Sequence, residues 1–370
     1  MALKGAKWHE CVWGRSRRPN PGGIAASAAS LLTHEDSSCS VSYFSFNKIV
    51  IFGVGLIGGS LALALKRGQP GAPAAGCIVG VGRSAASVER ALALGVIDLA
   101  LGLDDDAGLE AALRDADVVI CAAPVAQTEP LLRRMAPWLR GQTLVSDVGS
   151  TKADAVAAAR AALGAEAWRF VPAHPIAGRE LSGVEAALVD LFHERDVVLC
   201  PLAENPPQAP ARIAAMWQAC GAHTLSLSAA QHDAVFASVS HLPHVLAFAL
   251  LEQILRGSDA QLKLDLAGSG FRDFTRIAAA SPEMWRDICV ANRAALLSDL
   301  DAYQAVLQEL RQLIADGDTA ALHTVFGRAS AAREAWSAGG VIHDTARDAT
   351  LADAGDTLAA VAPGGLKLLD

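Results

Sequence analysis

The chain has 370 residues, 52% of them hydrophobic, and a formal net charge of -8. That length allows two domains with a sizeable core, and the acidic balance offers nothing to a nucleic-acid backbone. Seven scattered cysteines form no CxxC pair, which argues against a disulfide framework or a zinc–cysteine site and for a reducing, cytoplasmic setting.

Residues 1–45 hold five Lys/Arg against three Asp/Glu among many Ser, Gly and Pro. They read as a disordered or leader segment without a signal-peptide h-region. From Lys48 the pattern changes. KIVIFGV is a short apolar run of strand type, and GVGLIGGSLALALKRG follows it at once. Gly53, Gly55 and Gly58 make GxGxxG between a strand and a helical pattern over 56–67, the context in which this motif binds a dinucleotide. Gly53 permits the tight turn, Gly55 lets a pyrophosphate approach the backbone, and Gly58 lets helix and strand pack closely. The anion would then meet the free N–H groups of the helix start, at Leu56 and Ile57.

Further strands are predicted at 77–82, 117–124, 143–149, 169–175 and 196–201, with helical segments between them. Near-continuous apolar strands alternating with helices imply a parallel sheet covered on both faces. The expected fold is therefore an α/β Rossmann-type dinucleotide-binding domain over 46–202. Ligands in such sheets bind beyond the carboxyl ends of the strands, which brings Pro124 to the cofactor. The second strand ends in GVGRSAAS, with no acid before Glu89. An NAD site usually places an acid here for the ribose 2′-OH. Arg83 and Ser84 suit a 2′-phosphate instead, so NADP is expected, with NAD possible.

Two strands end in unusual sequences. SDVGSTKAD sets Ser150 and Lys152 at a helix start; Ser150 is either an N-cap or a group projecting into the cleft beside the nicotinamide. VPAHPIAGRELSG places His174 between Pro172 and Pro175, followed by Gly178. Stiff backbone that then turns sharply would hold an imidazole rigidly at a cleft mouth, as a general base requires.

The second half, 203–335, is expected to be an all-α domain. SLSAAQHDAVFASVSHLPHVLAFALLEQIL reads as one long apolar-faced helix with Pro243 inside it. No run of about 20 uninterrupted apolar residues occurs, so no membrane span is expected. His241 and His244, at i and i+3, share a face. Without a third ligand they suit an anionic substrate better than a metal. GSGFRDFTRIAAASPEMWRDI brings Arg272, Arg276 and Trp285 close together, and arginine suits bidentate carboxylate binding. Over 291–314, Leu296, Leu300, Leu307, Leu310 and Ile314 form an apolar stripe fit for a helical subunit interface. Residues 336–370 read as a loosely ordered tail.

The ordered set GVGLIGGS, DVGSTK, HPIAGRELSG, SHLPH and GFRDFTRIA…MWRDI resembles the prephenate/arogenate dehydrogenases, the cyclohexadienyl dehydrogenases of tyrosine biosynthesis, over roughly residues 47 to 320. The resemblance implies oxidative decarboxylation of prephenate or arogenate, with hydride passing from C4 to NAD(P)+, in a homodimer built through the helical domain. It implies His174 as proton acceptor from the C4 hydroxyl and Ser150 as its orienting partner. Arg276 matches the carboxylate-binding arginine, and His244, Ser240, His241 and Trp285 line the pocket. Arg272 stands where relatives often carry lysine, and Glu180 matches an acid that gates or polarises the site. Gly82 departs from relatives with an acid there, and Arg179 from those with a small hydroxyl residue. Two other readings are a β-hydroxyacid-type dehydrogenase, which needs a catalytic lysine on the second domain, and a dinucleotide-sensing protein without catalysis.

Overall fold

The computed structural model describes residues 45–68, 74–179 and 181–339. The leader over 1–45 and the tail over 336–370 fall almost wholly outside the described residues, and so does Glu180.

Five strands, β1 (Phe46–Phe52), β2 (Ala75–Gly82), β3 (Leu99–Gly102), β4 (Val118–Cys121) and β5 (Leu144–Asp147), form a parallel sheet in the order β3-β2-β1-β4-β5. Helices α1 (Leu56–Arg67), α2 (Ala85–Ala93), α3 (Asp106–Arg114), α4 (Thr128–Met135) and α5 (Ala153–Leu163) follow the successive strands. Alternate strand residues feed two separate cores. Ile49, Ile51, Ile78 and Ile120 pack with Leu61 and Leu65 of α1 on one face. Val50, Phe52, Val79 and Val119 pack with Leu109, Leu113 and Leu132 on the other. Both faces are dry, so these strands read as unbroken apolar runs. β3 was not legible, because LALG is short and its residues are only partly buried.

The strand expected at 169–175 does not extend the parallel sheet. The chain passes through a tight turn over Gly164–Arg169, touches β5 by a single bridge at Phe170, and enters β6 (Ala173–Pro175). β6 pairs antiparallel with β7 (Asp196–Leu199), which pairs in parallel with β8 (His223–Ser226) in a second, three-stranded sheet. Pro172 and Pro175 carry no N–H, so a long ladder beside β5 was closed to this segment. β8 lies beyond residue 202 and has one half-buried and three exposed residues. Between β7 and β8, α6 (Gln208–Ala219) docks Ile213, Met216 and Trp217 onto the α1 side of the first core.

All-helical structure begins at Ser228. Its elements are α7 (Ala229–Phe236), α8 (Leu242–Leu255), α9 (Ala260–Asp265), α10 (Ser269–Thr275), α11 (Pro282–Ala291), α12 (Arg293–Asp316) and α13 (Thr319–Ser337). The predicted single helix through Pro243 is interrupted by a π-turn over Ala237–His241. Proline removes one helical bond and crowds the carbonyl four residues back, and the wider turn relieves both. By length and mean hydropathy (1.7) the stretch Ala229–Leu255 would suffice to cross a membrane. His232, Asp233, His241 and His244 interrupt its apolar character, and the first two bind the nucleotide-binding half directly.

One buried ion pair joins the two sheets. Lys152, fully buried, donates from Nζ to Asp147 at the end of β5 and, at 2.8 Å, to the carbonyl of Ala173. Asp147 in turn accepts from the N–H of Gly149 (2.9 Å) and of Ala173 (3.2 Å). Removing one partner of such a pair strands the other charge in a dry interior, at a cost of about 3–5 kcal/mol. Lys152→Met should therefore lower the urea midpoint accordingly, whereas Asp147→Asn combined with Lys152→Met should lose less. Equal losses in equilibrium unfolding would show that the pair is not coupled.

Candidate active site

The glycine motif is built as its spacing implies. Gly53 sits at φ +95°, and a Cβ there would lie 2.5 Å from the Ala122 carbonyl oxygen. A Cβ on Gly58 would lie 2.1 Å from the Gly53 oxygen. Around Gly55 a Cβ would meet nothing within 4 Å, so this side of the α1 start is open to a ligand. No acidic residue occupies the first turn of α1, which leaves the positive end of the helix uncompensated. Leu56 and Ile57 form that turn and pack against the core. A cavity of about 160 Å³ opens at the carboxyl ends of β1, β2 and β4, lined by Gly53, Gly82, Arg83 and Pro124 among others. Ser84 precedes α2 and makes no capping bond with its hydroxyl. Gly82 is crowded, since a Cβ there would lie 2.7 Å from Val88 Cγ1. These features fit a dinucleotide.

Ser150 does not cap α5. That task falls to Asp233, 80 residues later in the chain, whose carboxylate accepts from the N–H groups of Lys152 and Ala153, each at 2.8 Å. Asp233 reaches them because a capping box between Ser228 and Gln231 fixes where α7 begins. Ser150 is left half-buried beside the strand end, with its carbonyl facing His241.

His174 is the middle residue of β6, opposite Val198. Its Nδ1 lies 2.8 Å from Nε2 of His232, whose own Nδ1 lies 2.8 Å from Asp233 Oδ1. Phe236 covers the His174 ring at 4.8 Å between centroids. Burial pushes the pKa of His174 well below the ordinary 6.5, and the nearby Lys152 charge adds to this. Burial also lowers His232, against the opposing pull of Asp233. Asp233 stays ionised, because His232 and the two backbone N–H groups hold its pKa below the usual carboxylate value despite burial.

His241 and His244 do different things, because the π-turn separates their surroundings. His241 is fully buried against Asn292, whose Nδ2 donates to its Nδ1 at 3.1 Å. Burial lowers its pKa to about 4. His244 donates from Nδ1 to the Ser240 carbonyl at 2.8 Å and stacks on Trp285 with centroids 3.6 Å apart. A cavity of about 680 Å³ opens here, lined by Gly178, Arg179, His244, Arg276, Met284 and Trp285 among others. The buried Trp285 Nε1 finds no acceptor among the described residues. Arg276 thus joins the pocket, while Arg272, exposed on α10, does not line it. α11, which carries Trp285, packs against the turn Val125–Gln127 that follows Pro124, so the two cavities flank one cleft.

Sequence reading missed His232, Asp233 and Asn292. The one available signal was a His–Asp pair interrupting the apolar start of α7, and nothing in its spacing pointed to β6, 58 positions away.

Comparison with known proteins converges. Residues 61–226 match the family model described as prephenate dehydrogenase, nucleotide-binding domain, and residues 228–328 match prephenate dehydrogenase, dimerization domain. The chain is 35% identical over 288 residues to prephenate dehydrogenase of Bacillus subtilis, covering 77% of this chain and 75% of that protein. It is 37% identical over 278 residues to cyclohexadienyl dehydrogenase of Zymomonas mobilis, covering 74% and 91%. Among solved structures, prephenate dehydrogenase from Aquifex aeolicus in complex with hydroxyphenyl propionate and NAD+ superposes with a TM-score of 0.72 at 32% identity, over 79% of this chain and 98% of that one. Synechocystis arogenate dehydrogenase gives 0.65 at 29% identity, over 78% and 99%. With both halves matched in order, the chain belongs to the prephenate dehydrogenase family.

Proposed function

We propose that the protein oxidatively decarboxylates prephenate, arogenate or both, with His174 accepting the proton of the C4 hydroxyl and NADP+ preferred to NAD+. What supports this reading is a half-buried, neutral imidazole on β6, hydrogen-bonded to His232 of the helical half, four residues before Gly178 and Arg179 of a cavity that also holds Arg276. The bound cofactor supplies a hydride acceptor. The remaining chemistry falls to the chain. Arg276 holds the ring carboxylate, and the free indole N–H of Trp285 gives a further anchor. His244, locked as an Nδ1 donor to Ser240, presents a bare Nε2 to the pocket. Ser150 supplies a hydroxyl beside the reacting carbon. As hydride leaves C4, His174 takes the hydroxyl proton, the carbonyl forms, and loss of CO2 aromatises the ring. Glu180, outside the described residues, keeps its expected gating role as part of this proposal, and Ser240 its role in substrate binding; Arg272, which does not line the cavity, is given none.

Arg83 in the cofactor cavity, the free Ser84 hydroxyl and the lack of room for an acid at position 82 support NADP+. Arg179 beside Arg276 favours the more anionic substrate, prephenate. A two-by-two assay of prephenate or arogenate with NAD+ or NADP+ tests both preferences. Highest kcat/KM with prephenate and NADP+ is expected, and no turnover in any combination would overturn the reading.

His174→Asn removes a transition-state proton acceptor and should lower kcat by about 10²- to 10⁴-fold with little change in KM. The acceptor is the neutral ring. Because burial lowers its pKa below 6.5, activity should hold at neutral pH and fall only on the acid side of 6.5. A pH profile of kcat/KM with its acid limb at or above that value would contradict the assignment.

We further propose a homodimer through the helical half. Leu262, Leu266, Val290 and Ile314 are each at least 60% exposed in the single chain, and the stripe on α12 buries Leu296 alone. Light scattering should give about twice 38.3 kDa, and Ile314→Asp should shift the protein toward monomer.

A further inference from the structure

The His174–His232–Asp233 chain does more than fill space, and its hydrogen bonds can be assigned one at a time. The Asp233 carboxylate already accepts two backbone N–H groups, from Lys152 and Ala153. An ionised carboxylate has no proton to give, so the 2.8 Å contact with His232 requires the proton on His232 Nδ1. His232 is fully buried and burial holds it neutral. A neutral imidazole with Nδ1–H has a bare Nε2. The 2.8 Å contact between that Nε2 and His174 Nδ1 then requires the proton on His174 Nδ1. His174 is itself neutral, so its Nε2 is left as a lone pair.

We infer that His232 and Asp233 are positioning residues that fix the tautomer of His174, so that Nε2 is always the proton acceptor. The inference rests on the reading of His174 as the base. In the other tautomer Nε2 would carry a proton and could not accept the substrate's. When His174 Nε2 takes the C4 hydroxyl proton, the new charge is shared along the same chain: Nδ1–H donates to His232, whose Nδ1–H donates to Asp233. No proton need leave His174 during the step. Three elements hold the chain still. Asp233 caps α5, Asn292 Nδ2 donates to the Asp233 carbonyl at 2.7 Å, and Phe236 packs on both imidazoles. Lys152 brackets the arrangement: its N–H binds Asp233 and its Nζ binds the Ala173 carbonyl next to His174. Histidine orientation by a second group that sets which nitrogen is bare is a general device.

Two variants and one spectrum test this. His232→Leu removes the acceptor for His174 Nδ1 and frees the tautomer. The expected result is a fall in kcat of about 10- to 100-fold, within the range of second-group losses, with KM nearly unchanged. His232→Gln can place its amide oxygen near the lost Nε2 and accept from Nδ1–H, so it should recover most of kcat. A purely structural role predicts that both variants fail alike or that KM rises with the loss, and either pattern would overturn the inference. The unaltered holoenzyme gives the second readout. Its ¹⁵N-histidine NMR spectrum should show His174 protonated on Nδ1 and bare on Nε2. A proton on Nε2 would refute the assignment even if the Leu variant does not fold. If the unaltered enzyme turns over neither prephenate nor arogenate, the functional reading fails first, and the spectrum still decides the tautomer.

Discussion

The buried pair of Asp147 and Lys152 is the constraint on which the site depends. Two opposite charges sit in a dry interior, and each is useful only because the other and several backbone groups satisfy it. Asp147 ends the last strand of the parallel sheet, and Lys152 opens the helix after it. Between them they grip both polar groups of Ala173. That grip is what the antiparallel detour of β6 hangs from. It sets the residue next to Ala173, His174, at a defined place against His232.

From this clamp the second half of the molecule is attached by its own polar contacts. The start of α5 would have unsatisfied N–H groups, since neither Ser150 nor Thr151 caps it. Asp233 from α7 supplies the carboxylate. Docking the helical half and completing a helix cap are therefore one event. The same residue also holds His232 and, through it, His174 in one hydrogen-bonded chain, so one carboxylate serves both the joint between the halves and the histidines beside it. The π-turn before Pro243 has a comparable double consequence. It relieves the missing proline bond and turns His241 inward to Asn292 while His244 faces Trp285 and the cavity.

Much was legible from residue order. The glycines at 53, 55 and 58 needed only local sterics to be read, because the crowding that excludes a side chain involves near neighbours and the strand beside them. Alternating apolar strands and helices announced a doubly covered parallel sheet for the same reason. His174 stood out because prolines on both sides restrict backbone locally. The ordered motifs sufficed for the family. What could not be read was where 169–175 would pair, since a strand's partner is a non-local choice. The edge strand β8 was also hidden, because little of it is buried and so little selects apolar residues.

The sequence by itself determined the dinucleotide-binding half, the helical half and the family, all of which follow from periodicity, short-range sterics and motif order. Only the tertiary structure decided that Asp233 rather than Ser150 caps α5, that His232 is the partner of His174, and that Arg276 but not Arg272 lines the pocket. These are contacts between residues 58 to 81 positions apart or choices between neighbouring side chains on one helix surface. A buried polar group must find a partner, but nothing local in the chain says which one. That is settled only when the two halves pack and the cheapest satisfied arrangement of charges and hydrogen bonds becomes the one available.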